Sequence, residues 1–106
     1  MFSPSKYKAV KTTVDGIVFD SKKEAKRYQE LKILQKAGII SGLRLQPEYE
    51  VSLMGQKICK YRGDFWYVDT KTEGAVIEDV KGMKTPVYRL KKKLVEAYYG
   101  IKIIEV

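Results

Sequence analysis

Gly63-Asp64-Phe65-Trp66-Tyr67-Val68-Asp69, the polar connection Thr70-Lys71-Thr72-Glu73-Gly74, and Ala75-Val76-Ile77-Glu78-Asp79-Val80-Lys81-Gly82 form the stretch that decides the fold. Both apolar halves are rich in aromatic and β-branched residues, the composition of strands. The connection has hairpin length and carries a glycine. The spacing therefore predicts an antiparallel pair that folds back and sets Asp64 beside Asp79. Side chains alternate across a strand, so Asp79 and Lys81 share one face while Glu78 and Val80 take the other. Glu78 is accordingly assigned a surface or ion-pair role, and Asp69 the role of a turn acid. Phe65, Trp66 and Tyr67 read as core and sheet-face packing. Two acids and a lysine so arranged can build a metal-dependent site that cuts phosphodiesters.

Upstream, Leu43-Arg44-Leu45 and Tyr49 to Leu53 alternate as strand material interrupted by Pro47, which suggests a bulge or an edge. Gly55 turns the chain into Lys57 to Asp69. Earlier still, Ser21-Lys22-Lys23-Glu24 matches a capping box, in which serine and glutamate satisfy free amides at a helix start. Ala25, Tyr28, Leu31 and Leu34, with Ile33 beside them, recur at helical spacing, and Gly38 stops that helix. Lys22, Lys23, Lys26, Arg27 and Lys32 are expected on its solvent side. Residues 8–19 read as a hairpin around Asp15-Gly16. Downstream, Pro86 suits the first turn of a second helix, with Val87, Leu90, Leu94 and Ala97/Tyr98 as its expected buried face. Gly100 ends it, and residues 101–106 form a last strand that joins the sheet by a crossover.

The chain has 106 residues, enough for one domain with a modest core. Its 21 Lys and Arg against 13 Asp and Glu give a net charge of +8, which attracts polyanions, chiefly nucleic acid. It contains no histidine. Ser-His-Asp and Cys-His catalysis, histidine zinc sites and histidine-based nucleases are thereby excluded. The single cysteine, Cys59, rules out an internal disulfide and reads as a small half-buried strand residue. No apolar run approaches the roughly 20 residues of a membrane span. No charged-then-apolar leader opens the chain, so a cytoplasmic location is expected.

The order helix, three strands, helix, strand, with an acid opening the second core strand and Asp-x-Lys closing the third, resembles the PD-(D/E)XK nuclease superfamily. The likeness is to small phage and prophage members, which share a Phe-x-Ser-x-x-Glu helix entry, here Phe19 to Glu24, and a Glu-Asp-Val-Lys-Gly run, here Glu78 to Gly82. It covers about residues 7–106. One departure is Gly63, where the family name puts proline before the first acid.

The resemblance implies an α/β, restriction-endonuclease-like αβββαβ core. A mixed central sheet is flanked by two helices over residues 20–106, with an extra N-terminal β-hairpin over residues 7–19, all in one domain. It implies a Mg²⁺-dependent DNA endonuclease, in which Mn²⁺ substitutes, serving replication, recombination or packaging. A resolvase of Holliday junctions or other branched DNA and a non-catalytic DNA-binding module are the alternatives. Asp64 and Asp79 are the implied metal ligands, with the Val80 carbonyl as a third. Lys81 would orient or deprotonate the attacking water, and Glu24 would hold a metal or its water. Lys22, Lys23, Lys84, Arg89 and Lys92 are candidate phosphate contacts, and Gln46 a candidate for assisting substrate or water. DNA is the expected partner and no membrane is; two symmetric cuts would require a homodimer, with the 8–19 hairpin as its interface.

Overall fold

The computed structural model describes residues 10–80 and 84–106. Among the described residues, eight strands and two helices run in the order β1 (Thr12–Val14), β2 (Ile17–Phe19), α1 (Lys22–Lys36), β3 (Ile40–Leu45), β4 (Glu48–Leu53), β5 (Gln56–Arg62), β6 (Phe65–Asp69), β7 (Ala75–Asp79), α2 (Pro86–Tyr99) and β8 (Ile103–Glu105). The fold is mixed α/β. Strands β3, β6, β7 and β8 make the central sheet in that order. The β3–β6 and β6–β7 pairs are antiparallel and β7–β8 is parallel, so α2 is the crossover that the last strand required. With the β1–β2 and β4–β5 hairpins set aside, the order is α, three strands, α, strand.

Local chemistry explains the elements. Asp15 and Gly16, at φ 54° and 76°, make the tight turn of the β1–β2 hairpin. Ser21 Oγ accepts from the Glu24 N–H at 3.0 Å and starts α1. Ala25, Tyr28 and Leu31 bury its apolar stripe with Leu34 partly covered, as the spacing predicts, while Ile33 stays exposed. Thr85 caps α2 by accepting from the Tyr88 N–H at 3.1 Å, and Pro86 occupies its first turn. One face of the sheet packs on α1 and β1–β2 through Phe19, Tyr28, Leu31, Ile40 and Phe65. The other packs on α2 and the β4–β5 hairpin through Val51, Tyr61, Ile77, Tyr88, Val95 and Ile103.

Two expectations are corrected. The strand material around Pro47 is not one interrupted strand, nor is Lys57 to Asp69 a single run. Both break, and β4 and β5 pair with each other as a separate sheet. The breaks are pinned to one another: Gly63 N donates to Pro47 O and Gln46 N to Asp64 O, each at 2.9 Å. A Cβ on Gly63 would lie 3.1 Å from Ile77 Cγ2 and 3.4 Å from Pro47 Cγ, so a side chain here would have to push back the buried Ile77. That closeness explains the glycine ahead of the first acid. Helix α2 is also rotated from its expected setting. It buries Tyr88 and Val95, and it exposes Val87, Leu90 and Tyr98. Tyr88 packs beside Tyr61 and sends its hydroxyl to Glu105 at 2.8 Å, an anchorage that counting only aliphatic residues overlooks.

Candidate active site

Asp64 and Asp79 come together where β6 begins and β7 ends. Phe65 pairs with Glu78, so one more step along the ladder sets Asp64 against Asp79. The Asp64 N–H donates to Glu78 O at 3.0 Å, and Asp64 Oδ2 accepts from the Val80 N–H at 2.6 Å. Asp79 lies close enough to Asp64 to raise its pKa. From β5, the Tyr61 hydroxyl donates to Asp79 Oδ2. Glu24 projects from the first turn of α1 and is buried, as are Asp79 and Glu78. Buried acids are rare without a partner or a task.

Burial, the largest influence, pushes the Asp64 carboxyl up to about 7. The charges of Glu24 and Asp79 push the same way, against the Val80 N–H, which favours the anion. Near neutral pH the pair therefore holds a proton that a cation can displace. The linkage has a definite sign. A carboxyl raised on folding penalises its own ionisation, so in chelator the fold should lose stability as pH rises from about 4 to about 7 and then level off. Mg²⁺ should flatten that decline, and Asp64→Asn should remove most of it. Melting temperatures between pH 4 and 8 check this, and a stability that climbs over that range in chelator would contradict it.

The donors at this corner are all oxygens, the set suited to Mg²⁺ and not to zinc. Among the described residues no three Asp, Glu, Cys or His side chains are gathered as a ready-made metal cage. Mg²⁺ keeps several waters and takes one or two carboxylates, so the Asp64–Asp79 pair is enough to fit it. Glu24, close enough to raise the Asp64 pKa, is placed for a ligand or for a hydrogen bond to a bound water. The backbone carbonyl expected as a third donor belongs to Val80, whose N–H already holds Asp64. Lys81, the lysine expected beside the acids, lies outside the described residues.

The other expected residues fall in several places. Lys22 and Lys23 are exposed on α1. Lys23, Lys26, Arg27 and its ion-pair partner Glu30 line a groove of about 250 Å³ that reaches Val80 and Val106. Lys84 and Lys92 both pair with Glu105, at 3.1 and 3.7 Å, and Arg89 is exposed on α2. With Tyr88 and Lys84 against it, the Glu105 carboxyl is held below its ordinary range. Gln46 is exposed, and at φ 55° it turns its N–H onto the Asp64 carbonyl. Its backbone thus braces the first acid.

Two residues escaped the sequence reading. Tyr61 is the phenol that orients Asp79, and its signal is faint, since the two are 18 positions apart. Arg27, expected on the solvent side, instead donates from Nε and Nη2 to both oxygens of Glu78, each at 2.7 Å, and Tyr67 donates to the same carboxylate. Glu78 is therefore a buried ion-pair acid. The signal was present: Arg27 is the one arginine in a lysine-rich helix, and arginine suits a bidentate grip. Asp69 is a turn acid as expected, its Oδ1 accepting from the Lys71 N–H at 2.9 Å.

Among the described residues no helix is long and apolar enough to cross a membrane. No curated protein and no solved structure matches the chain. A family described as "Protein of unknown function (DUF1064)" matches residues 4–104. That span takes in both helices, the central sheet except the last residue of β8 and every acid of the candidate site, and the chain belongs to this family.

Proposed function

We propose that the protein is a Mg²⁺-dependent endonuclease that hydrolyses DNA phosphodiester bonds on a restriction-endonuclease-like core. The observation that carries this reading is the Asp64–Asp79 pair, where β6 begins and β7 ends, with a buried acid of α1, Glu24, acting on it. The element order around the pair and the basic groove that reaches Val80 support the same reading.

Bound Mg²⁺ would activate a water and neutralise the crowded phosphate anion. The chain's own residues do the rest. Asp64 and Asp79 hold the ion, Asp64 fixed by the Val80 N–H and Asp79 by the Tyr61 hydroxyl. Glu24 orients water on the α1 side. Lys81, next after Val80, supplies a compact positive charge with three donors for the attacking water and the phosphate. Exposed lysines of α1 hold the backbone without reading sequence.

The test is cleavage of supercoiled, linear, flap and four-way-junction DNA, each with Mg²⁺ and with chelator. Metal-dependent nicking of at least one substrate is expected. Absence of product on all four would overturn the reading, and retained binding without cutting would mark a non-catalytic DNA-binding module. The joint variant Lys22→Ala/Lys23→Ala should weaken DNA binding across sequences and reduce the slope of log affinity against log salt by about 2. Fluorescence anisotropy between 50 and 200 mM salt, roughly the range where such contacts are felt, checks it. An unchanged slope would remove these lysines from the DNA contact.

A further inference from the structure

Two positions along β6 from Asp64, on the same face of the sheet, Trp66 opens onto a cavity of about 460 Å³ that also involves Arg44, Gln46, Glu48 and Tyr49. That volume is typical of small-ligand sites. The Arg44 guanidinium lies over the Trp66 ring, 4.7 Å from its centroid, and Arg44 is exposed. Tyr49 lines the cavity with Trp66 and meets Tyr99 edge-on, with ring centroids 5.1 Å apart. The aromatic floor is thus held in place. The cavity is also tied to the acids, because the Gln46 N–H donates to the Asp64 carbonyl.

We propose that this cavity receives one unpaired base of the DNA strand, stacked on the Arg44 guanidinium and the Trp66 ring beneath it. Planar guanidinium and indole surfaces are what an unstacked base packs on. The rim argues for a base and against a phosphate. Gln46 offers both a donor and acceptors, and Glu48, paired with Lys60 at 3.4 Å, brings a carboxylate that would repel a phosphate but accept from a base amine. Arg44 faces Trp66 across the β3–β6 ladder, and Asp64 lies just before β6. A strand crossing the acids therefore passes the cavity within a nucleotide or so. The substrate class that follows is DNA with an unpaired or unstacked nucleotide beside the cut. This inference rests on the nuclease reading for its purpose, but its test uses neither metal nor cleavage.

Trp66 is the only tryptophan of the chain, so its emission reports this cavity alone. In chelator, a short single-stranded DNA should quench it in a saturable way, while an abasic strand of the same length and a blunt duplex should not. Arg44→Ala should weaken the quenching titration by about tenfold, the scale of one stacked base. Arg44→Lys, which keeps the charge and loses the plane, should behave like Arg44→Ala. Equal quenching by the abasic strand, or a wild-type titration from Arg44→Lys, would overturn the proposal. Metal-dependent nicking without this quench would overturn it and leave the nuclease reading standing. Quench without nicking would do the reverse.

Discussion

Asp79→Asn is expected to lower the nicking rate on the order of 10³-fold while leaving DNA affinity in chelator within about twofold, since charge stabilisation by the metal site contributes several kcal/mol to such a reaction. The substitution is nearly isosteric. The amide oxygen can still accept from the Tyr61 hydroxyl, so the β5–β7 contact survives. What is lost is the negative charge that draws a cation to this corner. Removing it also takes away one of the charges raising the Asp64 carboxyl, so the variant should resist heat better than the parent at pH 8 in chelator. Nicking rates, anisotropy and melting curves on one preparation separate the effects. A variant that cuts within tenfold of the parent would show that Asp79 does not hold the metal.

Arg27→Ala should destabilise the fold by about 3–5 kcal/mol, the usual cost of stranding a buried charge. Glu78 is 1% exposed, and its carboxylate is met by Arg27 at both oxygens and by the Tyr67 hydroxyl. The same contact raises the Arg27 pKa, so the guanidinium stays charged at any working pH. Without the guanidinium, the carboxylate must take up a proton or drag water into the sheet. Adding Glu78→Gln should recover most of the loss, because a neutral amide in that position needs no cation. Urea unfolding of the single and double variants checks this, and a loss under about 1 kcal/mol for Arg27→Ala would mean that the pair is far more solvated than its geometry implies. The pair also sits back to back with the active corner, since Glu78 and Asp79 are consecutive residues on opposite faces of β7. Disturbing one should loosen the other, so weaker Mg²⁺ binding by Arg27→Ala is a secondary expectation.

The sequence carried the elements whose signals are local. The Asp15-Gly16 turn, the Ser21 cap, the Pro86 start, the Gly100 stop and the hairpin that pairs Asp64 with Asp79 each follow from residues a few positions apart. The signals that failed were relational. Pro47 and Gly63 both register as interruptions, but only their hydrogen bond shows that the two breaks are one crossing point from which β4 and β5 depart. The face of α2 was misread for a related reason: Tyr88 is buried for its partners on β5 and β8, which no periodicity within the helix encodes. Arg27 looked like one more cation on a basic helix until Glu78 faced it from β7. In the site itself, alternation placed Asp79 and Glu78 on opposite faces correctly, whereas Tyr61, the hydroxyl that orients Asp79, lay beyond any spacing rule.

Soaking crystals in Mn²⁺ and recording its anomalous scattering tests the central claim most directly. The account predicts one strong peak between the carboxylates of Asp64 and Asp79, on the side of Glu24, and its loss in Asp79→Asn. Mn²⁺ bound elsewhere with that corner empty, or a peak that persists unchanged in Asp79→Asn, would contradict it.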